Sequence, residues 1–444
     1  MTTLLATPRS WPSILLGRAT AADPTDLDAA IRAGAFGGLR AALEQGPTGT
    51  LETIAAAGLR GRGGAGYPTA DKWRAAIAAA AAGGGRPLVV ANGYAADPAS
   101  RTDLELLERD PFGVLEGIAI AALAIGSDEA IVAIRGEALE AGRRLEAAIG
   151  SAEEANFLGE DILGSGRDVF VRVRAVQGAY MLGEETVLLK ALAGKRGQPE
   201  QRPPHPATRG LDGRPTVIQN VQTLAALPWI LVNGAAAFAG VGPRECPGTI
   251  LVSVRGPGGE AGIAEVPMGT KLADIVGLAG RPAAGRKLKA VLVGGPSGGI
   301  LPAEALDTRY TFDDLRAAGA HIGSGSIVAA DDRACIVDLA RVLTRYCADE
   351  ACGKTIPCRI GTRRLAEVAE RMTDGTSRAG DAALATDLAA DIVGSGLCDH
   401  ERLATLPLMS GLRYFRAELD AHLERGSCPA GVCQPIAVAA SGAH

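Results

Sequence analysis

The chain has 444 residues, of which 47% are hydrophobic, and its 45 basic side chains stand against 50 acidic ones for a formal net charge of −5. This length exceeds one ordinary hydrophobic core, so two to four folded domains are expected. The slight acidity and the lack of a dense Lys/Arg block argue against nucleic acid as a partner.

The N-terminal residues, MTTLLATPRSWPSILLGRA, carry scattered arginines and two apolar runs broken by proline. A signal peptide needs a charged start and a continuous apolar core, so this pattern predicts a cytoplasmic protein. The longest apolar stretch, residues 117–126 (GIAIAALAIG), is too short to cross a bilayer and predicts a buried core helix. No membrane anchor is expected.

A glycine-rich stretch, residues 58–73 (GLRGRGGAGYPTADKW), follows helical spacing of Ala, Leu and Ile in residues 25–57. Its five glycines free backbone N–H groups to face an anion, and Arg60, Arg62 and Lys72 add positive charge. A flexible linker is the alternative, but a linker does not need these cations. The stretch therefore predicts a site for a phosphate-bearing cofactor.

An alternating strand and helix pattern follows the glycine-rich stretch. Residues 87–92 (PLVVAN) are a short apolar run that predicts a buried parallel strand ending at Asn92. A helix at about 102–125, a strand at 130–136, another helix and a strand at 169–176 continue the pattern. The pattern predicts an α/β fold with a Rossmann-like, mostly parallel sheet, and such sheets bind ligands at the carboxyl ends of their strands.

The glycine-rich stretch resembles the nucleotide and flavin loop of the 51 kDa flavoprotein subunit of respiratory complex I and of the related subunits of NAD-linked hydrogenases and formate dehydrogenases. The resemblance continues in residues 178–188 (GAYMLGEETVL) and 213–224 (GRPTVIQNVQTL). It implies FMN as a cofactor and NAD(H) or NADP(H) as substrate. The cofactor-binding residues that it implies are Gly61, Arg62, Gly63, Gly64, Tyr67, Lys72, Asn92, Asp97, Gly183, Glu184, Glu185, Asn220 and Thr223.

Glu184 and Glu185 are also the residues that we assign to catalysis. Adjacent carboxylates beside a glycine turn suit hydrogen bonds from ribityl or ribose hydroxyls, and the Asn220 amide offers both a donor and an acceptor. The alternative for the acidic pair is a helix N-terminus at which negative charge complements the helix dipole.

The resemblance weakens at the nucleotide site. The family's acidic loop after the first strand, typically NADEGEPG, reads NGYAADPA at residues 92–99, so Tyr94, Ala95 and Ala96 replace a stretch with two more carboxylates. Ala75 and His205 stand where the family usually has aromatic rings that flank the adenine, and Tyr67 still offers one ring. We expect the FMN-containing flavoprotein subunit of an NAD(P)H:acceptor oxidoreductase, which passes electrons to an iron–sulfur centre or partner protein. The alternative is an FMN-binding electron-relay or scaffold subunit that no longer oxidises NADH.

Two further domains are predicted after the flavin domain. Residues 248–280 contain two strand-like runs around a Gly/Pro turn and then a short helix, which predicts a β-grasp (ubiquitin-like) module. Residues 294–299 (GGPSGG) resemble the hydrogenase-type branch more than complex I itself, and helical patterns from residue 331 predict a helical bundle. The predicted domains are residues 1–245 (Rossmann-like, FMN and NAD), 246–330 (β-grasp) and 331–444 (helical, iron–sulfur).

The cysteines of the last quarter predict metal ligation before disulfides. Residues 350–364 (EACGKTIPCRIGTRR) resemble the family's cluster loop, in which three cysteines and a distant fourth hold a 4Fe-4S cluster. Cys352, Cys358 and Cys398 match three of these positions, but Thr355, a poor iron ligand, stands at the second. A 4Fe-4S cluster with one non-cysteine ligand, a 3Fe-4S cluster on three thiolates, and thiols that only pack as small apolar groups remain alternatives.

A second set of metal ligands comprises Cys335, His422, Cys428 and Cys433. One imidazole and three thiolates suit a closed tetrahedral zinc site. CPAGVC at residues 428–433 resembles the segment before a ferredoxin-like extension in the hydrogenase-type subunits, and we expect this extension and a preceding thioredoxin-like 2Fe-2S domain to be absent. The implied partners are a 2Fe-2S thioredoxin-like subunit or a ferredoxin-type electron carrier, together with further oxidoreductase subunits.

Overall fold

A computed structural model describes residues 2–19 and 23–433 of the chain. The chain divides into two compact units, the first comprising residues 1–197, 201–252 and 263–270, and the second comprising residues 198–200, 253–262 and 271–444. The division into three domains at residues 245 and 330 stays a prediction. The predicted tail after Cys433 lies outside the described residues.

A four-stranded parallel sheet organises the first unit. Its strands are β1 (Leu88–Gly93), β2 (Glu129–Arg135), β3 (Phe170–Val176) and β4 (Thr216–Asn220). They lie in the order β3-β2-β1-β4, and the neighbouring pairs are parallel. The predicted parallel sheet is therefore confirmed. Because the chain leaves β1 for β2 on one side while β4 lies on the other, the strand order reverses between β1 and β4, where open α/β sheets bind ligands.

Helices surround this sheet. They are α1 (Leu27–Arg32), α2 (Gly37–Ala57), α3 (Thr69–Ala79), α4 (Thr102–Arg109), α5 (Pro111–Ile125), α6 (Leu139–Glu154), α7 (Glu185–Leu192), α8 (Val221–Asn233) and α9 (Ala235–Ala239). Every residue of α5 is buried, as the apolar run predicted. A Cβ at Gly117 of α5 would lie 2.0 Å from the Leu224 carbonyl oxygen of α8, so glycine permits this close helix contact. The contact fixes α8, whose first residues reach the carboxyl edge of the sheet.

The helix predicted for residues 102–125 is two helices, because the chain breaks at Asp110. Pro111 stands at the first position of α5, where its missing N–H leaves no hydrogen bond unmade. The Asp110 side chain caps the new helix by accepting the N–H of Gly113 at 2.9 Å. The prediction of one continuous helix is therefore wrong, and the proline and its capping aspartate are the reason.

A second, mixed sheet has the strand order β6-β5-β9-β7-β8. Its strands are β5 (Thr249–Arg255), β6 (Ala261–Pro267), β7 (Leu288–Val293), β8 (Gly299–Pro302) and β9 (Ser326–Asp331), and α10 (Leu272–Gly277) and α11 (Phe312–Ala317) accompany them. Within the second unit β5 pairs with β9 in parallel, whereas β7 pairs with β8 and β9 in antiparallel fashion. The β-grasp assignment of this region stays a prediction.

The predicted C-terminal helical region is confirmed. It comprises α12 (Ile336–Asp349), α13 (Thr362–Asp374), α14 (Asp381–Gly394), α15 (Asp399–Leu403), α16 (Leu406–Tyr414) and α17 (Arg416–Arg425). Apolar side chains of these helices form one core, into which Cys335 and Cys433 are packed. Among the residues that the structure describes, every helix is too short or too polar to cross a bilayer.

Candidate functional site

The glycine-rich loop of the first unit is closed at its base by backbone hydrogen bonds. The N–H of Gly61 donates to the Tyr67 carbonyl and the N–H of Thr69 donates to the Leu59 carbonyl, each at 2.9 Å. Gly64 within the loop has a φ of 102°, which L side chains rarely adopt. The loop leads directly into α3, and a glycine loop before a helix N-terminus is a common phosphate-binding arrangement.

Two residues near the start of α8 hold this loop in place. The N–H of Arg62 donates to Thr223 Oγ1 at 2.8 Å, and Thr223 is fully buried. A Cβ at Gly63 would lie 3.3 Å from the Asn220 Cβ, so a side chain at this position would crowd Asn220. The structure thus brings together residues that the sequence assigned to one site.

The Arg62 guanidinium is buried and anchors the loop by hydrogen bonds to backbone carbonyls. Arg62 is 2% exposed, and its Nε donates to the Thr249 carbonyl at 2.9 Å while Nη2 donates to the Pro247 carbonyl. Desolvation lowers its pKa to about 10. Its Nη1 is buried and has no hydrogen-bond partner among the described residues. Only Nη1 therefore remains for the phosphate contact that the sequence predicts.

Asn92 and Asn220 lie side by side at the carboxyl edge of the sheet, since they are register partners of β1 and β4. The Asn220 amide donates to Asp103 at 2.7 Å, and its Oδ1 accepts the N–H of Gln222 at 2.9 Å. Asn92 Oδ1 accepts the N–H of Tyr94 at 3.1 Å. Burial raises the pKa of Asp103 and outweighs the hydrogen bonds from Gln222 and Asn220. Both amides consequently have fixed orientations at the point where the strand order reverses.

Glu184 caps α7. One of its carboxylate oxygens accepts the N–H groups of Thr186 at 2.8 Å and Val187 at 2.9 Å, so this carboxylate complements a helix dipole. The other oxygen contacts the Arg202 guanidinium. At Gly183, which precedes the cap, a Cβ would lie 3.3 Å from the Ala96 Cβ, so this turn packs against the loop after β1.

Glu185 forms ion pairs with two cations. Lys72 Nζ lies 3.0 Å from its carboxylate and also donates to the Ile218 carbonyl at 3.0 Å, and Arg202 Nη2 lies 3.2 Å away. Burial raises the pKa of Glu185, but the charges of Lys72 and Arg202 outweigh burial and lower it. The Glu185 carboxylate is therefore an ionised hydrogen-bond acceptor at neutral pH. The sequence did not predict Arg202, because a single arginine in a proline-rich segment has no motif around it.

The altered loop after β1 is folded onto itself. Tyr94 is 1% exposed, and the Arg135 guanidinium lies 5.7 Å from the centre of its ring. Asp97 is buried and accepts the N–H of Ala99 at 2.8 Å, while Ala95 has a φ of 51° in the left-handed region. The loop therefore offers no carboxylate at residues 94–96, and its one aromatic ring is packed inside the protein.

The aromatic positions around the predicted nucleotide site also differ in exposure. Tyr67 is 54% exposed, His205 is exposed and Ala75 is half-buried. An exposed ring can stack on a ligand, whereas the Ala75 methyl group offers little contact area.

The first unit brings several of the predicted flavin-site residues close to one another. The glycine loop precedes a helix, a Cβ at Gly63 would narrow it, and the Lys72 ammonium and the Asn92 and Asn220 amides lie around it. These donors match an anionic, polar ligand better than an apolar one. The predicted residues thus converge on one edge of one sheet.

In the second unit, Cys352 and Cys398 both lie close enough to Cys358 to affect its pKa. Burial, with smaller effects of negative charge on Glu401, Cys398 and Cys352, raises the pKa of the Cys358 thiol to about 12. Thr355 Oγ1, at the position of the missing cysteine, donates to Glu401 Oε1 at 2.8 Å. The residue at the position of the missing cysteine is therefore hydrogen-bonded to a carboxylate.

The sequence did not predict Glu401 as part of this site. It follows Cys398 by three residues, a spacing that returns to one face of a helix, so this spacing was the available signal. Cys347 is the other nearby thiol, and its Sγ donates to the Pro296 carbonyl at 3.5 Å. Burial, with a smaller effect of Cys358, raises the pKa of Cys347 to about 12.

The ligand atoms of Cys335, His422, Cys428 and Cys433 all lie within 4.8 Å of one another. His422 Nε2 lies 3.5 Å from the sulfurs of both Cys335 and Cys433, which are 3.7 Å apart. The His422 Nδ1 contacts the Glu418 carbonyl at 2.8 Å, which directs Nε2 to the sulfurs. The predicted four residues therefore form a closed set suited to a metal ion.

The protonation of these thiols depends on their surroundings. Burial raises the pKa of Cys335, and it raises that of Cys433 to about 12. Burial also disfavours the Cys428 thiolate, but N–H groups from Cys433, Val432 and Ala430 donate to it and lower its pKa to about 7. A metal cation stabilises buried thiolates that would otherwise be protonated, so metal binding here is coupled to proton release.

Two separate parts of the chain each match a known protein family. Residues 54–229 match the model of the Nuo51 FMN-binding domain, and residues 338–422 match the NADH-ubiquinone oxidoreductase-F iron-sulfur binding region. The F 2 subunit of NADH-quinone oxidoreductase of Rhizobium meliloti (strain 1021) is 42% identical over 399 residues, which cover 89% of this chain and 94% of the relative. The chain belongs to the family of NADH-quinone oxidoreductase F subunits.

Hydrogenase subunits of this family are similar as well. The NADP-reducing hydrogenase subunit HndC of Solidesulfovibrio fructosivorans is 38% identical over 93% of this chain and 84% of its own length. A crystal structure of NAD+-reducing NiFe hydrogenase in the H2-reduced state matches with a TM-score of 0.81 and 31% identity, over 96% of this chain and 68% of that chain. The resemblance to the flavoprotein subunits is confirmed.

The two family matches cover most of the predicted site residues. All of the predicted flavin residues, from Gly61 to Thr223, lie within the matched FMN-binding domain. Cys352, Cys358 and Cys398 lie within the iron–sulfur region. Of the second metal-ligand set only His422 does, as the last matched residue. The individual roles of these residues stay predictions.

Proposed function

We propose that the chain is the FMN-bearing subunit of an NAD(P)H:acceptor oxidoreductase and that it passes electrons to its iron–sulfur region and then to a partner protein. The observation that carries this proposal is the convergence of the glycine loop, Lys72, Asn92 and Asn220 on one edge of the sheet, within a matched FMN-binding domain. FMN supplies the conversion from two-electron hydride acceptance to single-electron release.

The protein residues bind and orient the ligands. The loop N–H groups and the Lys72 ammonium hold the phosphate, and Thr223 keeps the loop in position through the Arg62 N–H. The ionised Glu185 carboxylate, together with Glu184, accepts hydrogen bonds from ribityl or ribose hydroxyls. Arg202, which contacts both carboxylates, neutralises them and limits their repulsion of an anionic ligand.

The chain acts within a larger assembly in this proposal. The similar proteins are named as subunits of NADH-quinone oxidoreductases and of an NADP-reducing hydrogenase. A 2Fe-2S thioredoxin-like subunit or a ferredoxin-type carrier would accept the electrons. We place the protein in the cytoplasm, because cysteines that serve as metal ligands persist in reducing compartments.

We also propose that Cys335, His422, Cys428 and Cys433 hold a structural zinc ion. Four closely spaced ligands with no open position match a structural rather than a catalytic zinc site. The ion would join the start of α12 to the end of α17 and to the chain that follows it.

Anaerobic titration with NADH and NADPH tests the proposed activity. Loss of flavin absorbance on addition of either nucleotide supports the dehydrogenase. Loss of absorbance with dithionite but with neither nucleotide favours the alternative, an electron-relay protein. The buried Tyr94 and the missing carboxylates in residues 94–96 are the observations that support this alternative.

Lys72→Ala is expected to weaken FMN binding about tenfold or more, because a charged hydrogen bond contributes about 1.5–3 kcal/mol and 1.4 kcal/mol corresponds to tenfold in affinity. The Lys72 side chain is 22% exposed, so the thermal midpoint should stay near that of the parent protein. Fluorescence titration of the apoprotein with FMN measures the affinity.

Two further variants make the Lys72 result specific. Lys195→Ala removes an exposed lysine of the same unit and should leave the affinity unchanged. Arg62→Ala should lower both the affinity and the thermal midpoint, because Arg62 makes two buried hydrogen bonds to carbonyls. Equal affinities of the Lys72→Ala and Lys195→Ala variants would rule out the proposed role of Lys72.

A further inference from the structure

In the cluster loop, the position of the missing cysteine is occupied by a threonine whose hydroxyl is hydrogen-bonded to a carboxylate. Thr355 stands between Cys352 and Cys358, and its Oγ1 donates to Glu401 Oε1 at 2.8 Å. A carboxylate oxygen thus lies within hydrogen-bond distance of the residue that stands where the fourth thiolate is absent.

Glu401 is a buried carboxylate without a cationic partner. It is 1% exposed, and its two oxygens accept hydrogen bonds from the Thr355 hydroxyl and, at 2.7 Å, from the Leu397 N–H. Within residues 2–19 and 23–433, no lysine or arginine forms an ion pair with it, and the adjacent His400 is buried. Buried charges in proteins are usually paired with an opposite charge or coordinate a metal. The two donors to Glu401, a hydroxyl and a backbone N–H, are both neutral.

A structural role as a helix cap explains only part of this arrangement. Glu401 is the third residue of α15 (Asp399–Leu403), and the hydrogen bond from Leu397 resembles the backward reach of a capping glutamate. Capping requires one oxygen, and it does not require burial away from solvent. The second oxygen, Oε1, lies against Thr355 instead, on the side of the cluster loop.

We propose that Glu401 supplies the fourth ligand of a 4Fe-4S cluster whose other ligands are Cys352, Cys358 and Cys398. Carboxylate oxygen is a common ligand of protein-bound iron. Like the thiolate that it replaces, it is an anion, so the total ligand charge is that of four cysteines. A bond forms between one iron and Oε1 without transfer of an electron, and the Thr355 hydroxyl remains a hydrogen-bond donor to the ligating carboxylate.

Cys347 is the competing ligand. Its thiol is fully buried and donates to the Pro296 carbonyl at 3.5 Å, so ligation would require it to leave this partner. Glu401 can keep its partner, because the Thr355 hydroxyl can go on donating to a carboxylate that binds iron. The geometry therefore favours the Glu401 carboxylate over the Cys347 thiolate as the fourth ligand.

Iron analysis and Mössbauer spectroscopy of the full chain enriched in ⁵⁷Fe, without nucleotide, test this inference. The inference rests on the proposed function only for the presence of a cluster, and reduction by dithionite makes the test independent of FMN and NADH. We expect about four irons per chain, the content of one 4Fe-4S cluster, with one iron distinct from three thiolate-bound ones. Glu401→Gln keeps the shape of the side chain but removes its charge, and should reduce the content to about three irons, as in a 3Fe-4S cluster.

Two variants make this result specific. Asp399→Asn removes an exposed carboxylate next to Cys398 and should leave the iron content and spectrum unchanged. Thr355→Cys supplies a thiolate, so it should make the four irons alike, slow the loss of iron to a chelator, and make a second substitution, Glu401→Gln, harmless. If Glu401→Gln alone does not fold, the iron content of the double variant still shows whether a thiolate at residue 355 replaces Glu401 as the ligand.

Three outcomes would overturn the inference. A parent protein with about three irons or none has no fourth ligand to explain. Four irons with an unchanged spectrum in Glu401→Gln would show that another group binds the fourth iron. Loss of that iron in Cys347→Ser, but not in Glu401→Gln, would identify Cys347 as the ligand.

Discussion

Cys433→Ser is expected to release about one zinc ion per chain, the whole content of a single closed site, and to lower the thermal midpoint of unfolding. Structural zinc contributes about 10–16 kcal/mol of apparent binding free energy in small zinc domains. Losing about 3 kcal/mol of this lowers the midpoint by about 6–12 °C in a unit of 150–250 residues. Elemental analysis and calorimetry measure the two effects.

The geometry explains why a single substitution should have so large an effect. Cys335 caps the start of α12, His422 lies on α17, and Cys428 and Cys433 follow α17. The ion would therefore join three segments of the chain at one point. The buried sulfurs of Cys335 and Cys433 lie 3.7 Å apart, and loss of the ion would leave them as thiols, which form only weak hydrogen bonds.

A matched control separates loss of the ion from loss of any buried cysteine. Cys246→Ser makes the same chemical change at a fully buried cysteine of the first unit, outside the metal cluster. It should leave the zinc content unchanged. Full zinc content and an unchanged midpoint in Cys433→Ser would show that the four residues do not form a zinc site.

The elements that were predictable from the sequence are those that local patterns determine. The run PLVVAN predicted β1, because consecutive apolar residues between glycine and proline signals suit a strand buried on both faces. Cys335, His422, Cys428 and Cys433 were grouped by residue type alone, as a set suited to a metal ion, and the structure places their ligand atoms within 4.8 Å of one another. The first is a local signal, whereas the second is a signal of residue type that does not depend on spacing.

Partners that only the folded chain brings together were not predictable. Arg202 reaches Glu184 and Glu185 across the fold, and no spacing in the sequence records this. The Arg62 charge suggested a phosphate contact, but two distant carbonyls hold most of its guanidinium. The role of a charged residue is hard to predict from the sequence, because buried ion pairs, hydrogen bonds to buried carbonyls and ligand contacts all use the same side chains.

NADH is expected to bind this protein roughly a hundredfold more weakly than it binds a family member with the full acidic loop and both aromatic positions. Each lost ring or carboxylate contact contributes on the order of 1 kcal/mol, and three such losses multiply if they act independently. The affinity follows from flavin absorbance during titration with NADH and with NADPH in the absence of oxygen.

Two residues could replace the lost nucleotide contacts, and the structure excludes one of them. Tyr94 is 1% exposed and lies against Arg135, so its ring is not available to stack on an adenine. His205 is exposed, and its imidazole can stack or form a hydrogen bond with a phosphate. A preference for NADPH over NADH would indicate that His205 has taken this role, and His205→Ala should then abolish the preference.

Restoring the family loop gives the sharpest test of this weak binding. Tyr94→Asp combined with Ala95→Glu returns two carboxylates to the loop and should raise NADH affinity about tenfold or more, since each contact contributes on the order of 1 kcal/mol. Ala99→Glu adds a carboxylate at an exposed position of the same loop and should have no such effect. Rapid, saturable flavin reduction of the parent protein at micromolar NADH would contradict the weak-binding prediction while supporting the dehydrogenase. A parent protein and a restored variant that both fail to react with either nucleotide would instead indicate a subunit that receives its electrons from a partner protein.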